Sequence, residues 1–553
     1  MDTLSNAPIP PALTAYAGRW VALIKGQVAG TGATRTEALA SAQISQSKAQ
    51  PQVIFVPEDF PYELPEIIER VRAYIPQPEN AWLVGGAVRD AMLSRVGRDL
   101  DFAVKGDGLA VARRVAEALQ AAFYPLDAER GMGRIILREM ADEPPFTLDF
   151  AELRGADIYA DLAARDFTLN AMAVPLAAPE TLLDPLRGAA DLRAKLIRAC
   201  APDSITADPV RGLRAVRLAA QFNFKIEKET RAAIKASAAE IANVSAERVR
   251  DELARCVSGP QPAATLRALD WLGLLDMILP ELAALKGVTQ SPPHTMDVWE
   301  HTLTVVARLA DVIYILGPQH DMDAASDLTL GLVSVRLGRY RHKITRHLTE
   351  ALSSERPTRW ILLLAALLHD AAKPQTRTVD EDGRIRFLGH EAAGAKLAAE
   401  VFMRLKFSAD EVKRAHTIVA HHMRPRQLSR EGEPSARAIY RFFKDTGPAG
   451  VEIILLSLAD LMGKSGSYPP PQTEWAEHVA ACAKMLEAYF EKRETAIAPK
   501  PFITGDDLMR ELNLPPGPQI GQLLEAIREA QVEGRVTDAK DALALARKVQ
   551  LGK

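Results

Sequence analysis

Short runs of alternating apolar and polar residues open the chain and give way further on to long helical periodicities. Residues 19–24 and 27–29 read as strands around a Lys25-Gly26 hairpin turn. Residues 36–43 read as a helix capped by Thr34 or Thr36, and residues 52–57 as a third strand. From about residue 61 to 185 helix and strand alternate. Residues 82–84 are a short buried strand, 87–94 a helix, 98–104 a strand and 109–121 an amphipathic helix, with further strands at 134–137 and 146–150. Residues 186–259 turn helical and Arg-rich. A second helical region, 261–468, holds nearly all the histidines, and amphipathic tail helices are broken at 514–518. The longest apolar run, 360–368, reads as a buried helix and is much too short to span a bilayer. Residues 467–471 read as a linker.

Length and charge sharpen this picture. A chain of 553 residues is too long for one core. With 68 basic against 71 acidic residues the net charge is −3, so any nucleic acid must be held by local Arg and Lys patches. Cys200, Cys256 and Cys482 lie far apart and are odd in number. They form neither a disulfide framework nor a thiolate zinc site, and they fit a reducing cytoplasm. The opening MDTLSNAPIPPAL lacks the basic and apolar regions of a signal peptide, so neither secretion nor a membrane partner is expected.

The stretch LVGGAVRDAMLSRVGRDLDFAV organises the candidate chemistry. Gly85 and Gly86, lacking a Cβ, let the backbone turn tightly and approach a ligand closely. The following helix presents free N–H groups and its positive dipole end, a phosphate cradle. Arg89, in its first turn, is placed to reach a triphosphate as a bidentate donor. Asp99 and Asp101, at i and i+2 on a strand, point to one face. Two carboxylates there repel each other, and Mg²⁺, a hard ion that takes carboxylate and phosphate oxygens, is their natural guest. A phosphate cradle followed by a two-carboxylate metal seat points to nucleotidyl transfer. Asp149, also ending a strand, is a candidate third carboxylate.

LVGGAVRD…RDLDFAV, then ARDFTLNAMAV, then ADPVRGLRAVRLAAQFNF, resembles the class II tRNA nucleotidyltransferase and bacterial poly(A) polymerase family, a branch of the DNA polymerase beta-like nucleotidyltransferases. The likeness is strong over residues 80–260 and weaker through the tail. It implies a multidomain α+β chain: a small β-rich accessory module at 1–60, a mixed-sheet nucleotidyltransferase head at 61–190, and an all-α neck for base selection at 191–260. A helical body at 261–470 and a helical tail at 471–553 follow. By this resemblance Asp99 and Asp101 are the catalytic Mg²⁺ ligands, and Gly85, Gly86 and Arg89 bind triphosphate. Arg165, Asp166 and Asn170 contact phosphate and ribose, and Asp208 and Arg211 read the base, with Arg214 and Arg217 continuing their row. The family commonly has Glu where Ala207 stands and Arg where Ala164 stands. Cytosine and adenine share an exocyclic amine beside an unprotonated ring nitrogen. A carboxylate accepts from the first and a guanidinium donates to the second, while uracil and guanine turn both contacts repulsive. On a helix, Asp208 and Arg211 at i, i+3 would lie on one face.

The histidines form a second constellation. LLHDAAKP resembles the HD phosphohydrolase superfamily, with His301, His369, Asp370 and Asp460 at its four ligand positions. His390, His421 and His422 fall where two-metal members carry extra ligands. Imidazole with carboxylate suits Mg²⁺ or a divalent transition metal such as Mn, Fe, Co or Ni, and the expected chemistry is phosphoester hydrolysis by metal-activated water. His294, His320, His342, His347, His416 and His478 read as ordinary core or surface residues.

The expected activity is template-independent addition of C and/or A from CTP and ATP to the tRNA 3′ end. Full CCA-adding relatives carry a flexible loop before the RDFT motif, and the piece LRGADIYA is short here, so a CC-adding enzyme is the runner-up, with poly(A) polymerase another. From other classes stand an HD phosphohydrolase with a catalytically silent, nucleotide-sensing head, and an RNA chaperone.

Overall fold

The computed structural model describes residues 16, 19–24, 27–32, 34–43, 51–56, 64–95, 97–127, 131–140, 144–318, 327–352, 356–430, 432–464, 466 and 468–551. The expected Lys25-Gly26 turn, His320 and Ser467 lie outside these. The chain divides into two compact units, Met1–Glu240 and Ile241–Lys553.

The first unit opens with β1 (Arg19–Ile24), β2 (Gln27–Gly32), α1 (Arg35–Gln43) and β3 (Gln52–Val56), an antiparallel sheet in the order β2-β1-β3 with α1 packed on it. Small residues permit the close approach: Ala38 and Ala42 of α1 cluster with Ala22 and Ala29 of the sheet. The helix cap is Thr34, whose hydroxyl accepts from the Glu37 N–H at 3.1 Å.

Next come α2 (Ile67–Tyr74), β4 (Ala81–Val84), α3 (Gly86–Met92), β5 (Asp99–Val104), α4 (Gly108–Leu119), β6 (Ala122–Asp127), β7 (Met132–Leu137), β8 (Phe146–Glu152), α5 (Ile158–Ala163) and β9 (Ala173–Pro175). The six strands form one mixed sheet, β6-β7-β8-β5-β4-β9, in which only the β5–β8 pair is parallel. Leu100 and Phe102 of β5 are buried beside Leu148 and Phe150 of β8, and the two phenyl rings stack with centroids 4.6 Å apart. Two local departures have physical reasons. Helix α3 stops at Met92, short of the expected Ser94, because Ser94 sits at φ 54°, in the left-handed region. Strand β6 was not expected: it is mostly exposed and contains Pro125, so it has no buried face to write an alternation. It is the edge strand, where Pro is tolerated, and pairing with β7 makes it a strand.

Then follow α6 (Gly188–Arg193), β10 (Leu196–Ile197), α7 (Ser204–Ala207), α8 (Val210–Phe222), β11 (Lys225–Ile226) and α9 (Lys228–Ala236). This region was expected to be wholly helical, yet β10 and β11 form a short parallel pair. Two residues per strand are too few to show a period.

The second unit is helical: α10 (Ala246–Val257), α11 (Pro262–Trp271), α12 (Leu274–Ile278), α13 (Val298–Ile315), α14 (Leu328–Leu337), α15 (Arg341–Thr349), α16 (Thr358–Leu368) and α17 (Lys373–Thr376). A two-stranded hairpin, β12 (Thr378–Val379) and β13 (Ile385–Arg386), interrupts it. The unit continues with α18 (His390–Arg404), α19 (Ala409–His421), α20 (Arg424–Arg430), α21 (Ala436–Thr446), α22 (Ala449–Gly463), α23 (Gln472–Phe490), α24 (Gly505–Leu512), α25 (Pro518–Val532) and α26 (Ala539–Leu551). Helix α16 is buried from Ile361 to Leu368 and α22 along its whole length. Each fully buried Leu or Ile there contributes roughly 2 kcal/mol of transfer free energy. Among the described residues no single helix is long and apolar enough to cross a membrane. The tail has its own core, built on Leu508, Ile520, Leu523, Ile527 and Val536. Ion pairs join it to α21: Glu529 meets Arg437 at 2.6 Å and also Arg441, and Glu525 meets Lys444 at 2.5 Å.

Candidate functional sites

Strand β4 ends at Gly85, whose φ of 73° a side-chain-bearing residue rarely adopts. A Cβ there would lie 3.1 Å from Arg165 Nη1 and 3.4 Å from Asp101 Oδ2, so the turn, a cation and a carboxylate converge. Asp99 and Asp101 are exposed and alternate with buried Leu100 and Phe102, which places both carboxylates on one face. The parallel register sets Asp149 directly beside Asp101. Asp149 takes two hydrogen bonds from Arg134, from Nε at 2.8 Å and Nη2 at 2.7 Å. Asp101 has Asp149 beside it across the sheet and Asp99 two residues before it on the strand. Loss of water, then Asp149 and Asp99, push its carboxyl above the usual range, while Arg165 and Arg134 pull it down. A dication relieves this repulsion, so the donor set fits a hard divalent metal.

The nearby arginines are more committed than the sequence suggested. Arg89, expected to reach a triphosphate, is buried. Its Nε and Nη2 bond Asp90 at 2.8 Å, its Nη1 bonds Asn170 at 2.6 Å, and its guanidinium stacks over Phe222 at 4.7 Å. It fixes Asn170 while its guanidinium lies against the glycine turn, 3.3 Å from where a Cβ of Gly86 would stand. Asn170 donates to Asp166 at 3.0 Å, and Arg214 donates to the other Asp166 oxygen at 3.1 Å. With the Phe167 N–H these hold the Asp166 carboxyl below its usual range against the cost of burial. Arg165 pairs with Asp161 through Nε and Nη2, at 2.9 and 2.8 Å.

Asp208 is not on a helix face. It lies in the link between α7 and α8, at φ −148°, because Pro209 disfavours helical backbone before it. It still stands 3.7 Å from Arg211 Nε. Arg211 spends its terminal nitrogens on the Ala164 and Arg165 carbonyls and on the Ser204 hydroxyl, at 3.1, 3.2 and 2.6 Å, which ties α8 to the RDFT segment. Sequence reading missed Arg134, Asp161 and Ser204. Arg134 was findable once β7 and β8 were paired, since it lies opposite Asp149.

In the second unit, α13, the end of α16, α18, the end of α19 and α22 bring six side chains together. His301, His369 and Asp460 form one group, and Asp370, His390 and His422 another, each with ligand atoms within 4.8 Å of one another. All four imidazoles use Nδ1 on a backbone carbonyl: His301 on Gly463 at 3.2 Å, and His369, His390 and His422 on Ala366, Phe387 and Val419 at 2.7 Å each. An Nδ1–H donated to a carbonyl leaves the Nε2 lone pair for a metal. The Nε2 atoms of His301 and His369 point at Asp460 and Asp370 from 3.2 and 3.1 Å, without aligned hydrogen bonds. Asp370 and Asp460 stay well below the usual carboxylate range against burial, held by His369 and Lys373 in the first case and by Lys464 and His301 in the second. Four imidazoles with Nδ1 committed to carbonyls, together with two carboxylates around one buried space, fit a divalent-metal centre.

His421, expected among the extra ligands, belongs to neither group; it stands by Arg424 and His416 while its neighbour His422 points inward. Consecutive residues on a helix diverge by about 100°, so only one of the pair can face the centre. His294 is the reverse case. It reads as an ordinary histidine, yet its ring packs edge-on against His301 at 5.0 Å. His478 is indeed a core residue, between the Ser429 and Ser457 hydroxyls at 3.0 and 3.2 Å. His347 pairs with buried Glu452 at 2.8 Å.

A mixed sheet presenting paired carboxylates beside a glycine turn, followed by helices and a His/Asp centre, defines a nucleotidyltransferase joined to an HD-type domain. Comparison with known proteins agrees. Residues 81–198 match the poly A polymerase head domain, 336–462 the HD domain, and 472–546 a second domain of tRNA nucleotidyltransferases. The A-adding tRNA nucleotidyltransferase of Deinococcus radiodurans is 33% identical over 475 residues, spanning 85% of this chain and 95% of that protein. The CC-adding tRNA nucleotidyltransferase of Thermus thermophilus is 33% identical over 474 residues, 84% of this chain and 93% of that one. The chain belongs to the tRNA nucleotidyltransferase and poly(A) polymerase family. In fold it is similar to a CCA-adding enzyme solved with ATP, at a TM-score of 0.55 and 20% identity over 88% of this chain and 96% of that one. A Thermotoga maritima CCA-adding enzyme complexed with tRNA gives a TM-score of 0.51 at 20% identity, over 88% and 97% of the two chains.

Proposed function

We propose that this chain adds C and/or A from CTP and ATP to the 3′ end of tRNA. The observation that carries the reading is the convergence of Gly85, Asp101 and Arg165, with Asp99 and Asp149 on the same sheet face. Asp99 and Asp101 hold Mg²⁺, which, when bound, supplies charge for the triphosphate and lowers the pKa of the 3′-hydroxyl. The hydroxyl oxygen attacks the α-phosphorus and pyrophosphate leaves, with no covalent enzyme intermediate. The Gly85–Gly86 turn admits the triphosphate, Arg165 offers it positive charge beside Asp101, and Arg89 acts by fixing Asn170. Asp166 and Asn170 receive the ribose, and Asp208 with Arg211 reads the base edge, Arg214 holding Asp166 in place. The division into accessory module 1–60, head 61–190, neck 191–260, body 261–470 and tail 471–553 belongs to this proposal. So does a reducing, cytoplasmic setting, which three free cysteines suit.

The test is extension of tRNA ending at the discriminator base with CTP alone, ATP alone and both. Absence of extension in all three, together with no addition of A from ATP to tRNA ending in CC, overturns the reading. The connector from Glu152, the end of β8, to Ile158, the start of α5, is short and favours the CC-adding variant of the reading: two added residues with CTP and no terminal A. A long ATP-only ladder indicates poly(A) synthesis. The four Nδ1–carbonyl bonds support a second activity, metal-dependent phosphoester hydrolysis at His301, His369, Asp370 and Asp460 with His390 and His422. That centre would hold Mg²⁺ or a divalent transition metal, which would supply the activated water.

A further inference from the structure

Arg165 reaches the glycine turn from just past the end of α5, and its direction is imposed on it. The guanidinium is planar and rigid, so fixing one edge fixes where the opposite nitrogen points. Asp161, one helical turn earlier, fixes that edge: its Oδ2 accepts from Arg165 Nε at 2.9 Å and stands 2.8 Å from Nη2. Nη1 is left on the far side, 3.1 Å from where a Cβ of Gly85 would stand, and it makes no hydrogen bond among the described residues. Asp161 is itself held. It is only 2% exposed, and its other oxygen, Oδ1, accepts from the Arg154 N–H at 3.0 Å. A carboxylate this buried is costly unless paired, so its oxygens stay on these donors. The backbone of Arg165 is pinned as well, its carbonyl accepting from Arg211 Nη1 at 3.2 Å. Other guanidinium groups do not replace it at the turn. Arg89 lies against Gly86, but its nitrogens are bonded to Asp90 and Asn170. Ala164, where the family commonly has Arg, brings no charge.

We propose that Asp161 is a positioning residue for nucleotidyl transfer: it turns Arg165 so that Nη1 faces the Gly85 turn and meets the triphosphate of the incoming nucleotide. This rests on the reading of that turn as the triphosphate site. Asp161 acts through Arg165 alone. An unclamped arginine samples the many rotamers of a long side chain and loses that freedom when it binds a phosphate oxygen. Clamped, it is aimed before the nucleotide arrives, and the ordering cost falls on folding instead of binding. Released from Asp161, the guanidinium would be drawn to Asp101, whose Oδ2 lies 3.4 Å from the same Gly85 position.

The test is isothermal titration of the full-length protein with CTP and with inorganic tripolyphosphate, both with Mg²⁺, alongside steady-state extension of tRNA. R165K is expected to weaken both ligands about tenfold, the worth of a charge-assisted hydrogen bond. D161N keeps the shape of the side chain and an oxygen for the Arg154 N–H. It is expected to weaken both ligands by about the same factor, raising KM for CTP and leaving kcat within about twofold. Added to R165K, D161N is expected to change neither affinity by more than about twofold, because a residue that acts through Arg165 has nothing left to act on. Unchanged circular dichroism shows that the fold is kept. Should D161N not fold, D161E carries the test: it keeps the charge but displaces the guanidinium by one methylene, and it is expected to weaken tripolyphosphate about threefold or more. Natural affinity in the folded variant, or the same loss on adding D161N to R165K as to the natural protein, overturns the proposal. The two failures are separable. Natural tripolyphosphate affinity in R165K refutes the triphosphate reading of Arg165, and the role of Asp161 with it. A weakened R165K beside an unweakened D161N leaves that reading standing and refutes the role of Asp161 alone.

Discussion

Two carboxylates side by side on one strand are a liability until something positive joins them. Asp101 shows this, its carboxyl pushed above the usual range by burial, Asp149 and Asp99. Replacing it with Asn therefore relieves repulsion in the metal-free protein while removing a ligand. Asp101→Asn is expected to hold or raise the melting temperature of the metal-free protein and to lower the rate of nucleotide addition by about 10²–10³-fold, the worth of several kcal/mol of transition-state charge stabilisation. Single-turnover extension and a thermal melt check the two halves. Gly85→Ala acts differently. At φ 73° with Arg165 Nη1 3.1 Å from the new Cβ, the variant is expected to cost about 1–2 kcal/mol of local strain and to raise KM for CTP or ATP more than it lowers kcat. A variant that binds nucleotide normally would show that the turn does not receive the triphosphate.

Elements are held in register by a few buried charge contacts, and these set how the second unit responds to pH. Glu411, fully buried in the first turn of α19, takes a bidentate pair from Arg356 at 3.0 and 2.6 Å, which ties α19 to the chain entering α16. Burial opposes the charge, but Arg356 and Ser408 hold the carboxyl below its ordinary 4.5. A carboxyl depressed in the folded state contributes stability above its unfolded value, and that contribution is lost as pH falls through the folded value. Glu411→Gln is expected to lose about 1–3 kcal/mol at pH 7, because the charge-assisted pair with Arg356 is weakened to neutral contacts. The gap between the variant and the natural protein should close as pH drops below 4.5. Melting temperatures across that range check the sign; a gap that widens in acid would contradict it.

For the whole molecule, the two candidate centres are built from different compact units, the carboxylate face from Met1–Glu240 and the His/Asp centre from Ile241–Lys553. Their metals are therefore expected to be lost separately. His369→Ala should lose one of the buried imidazoles that share the second centre and retain less transition metal after dialysis, measured by elemental analysis. Asp101→Asn should retain as much as the natural protein. Phosphoester hydrolysis should follow the first substitution and nucleotide addition the second. Loss of both activities in either variant would mean that the units are coupled.

Much of this was legible along the chain because it is written locally. The Gly-Gly turn and the Asp-x-Asp pair lie within one strand–turn–helix–strand run, where period 2 decides which side chains share a face. The apolar runs of α16 and α22 announce burial by composition alone, and His301, His369, Asp370 and Asp460 are flagged by the resemblance of LLHDAAKP to the HD superfamily. What the chain could not declare depends on partners distant in sequence. Arg89 is committed to Asn170, 81 residues on, which accepts its N–H. Edge strand β6 exists only through β7, and Asp149 stands beside Asp101 only through a parallel register. His422 rather than His421 joins the centre because the packing of α19 chooses which side of its last turn faces inward, and His294 gains its place beside His301 the same way. Periodicity and motif therefore determined the elements and the kinds of chemistry, since both act over a few residues. Only the tertiary structure decided which charges are spent on holding the fold and which remain for a ligand, because that depends on pairings no local pattern contains.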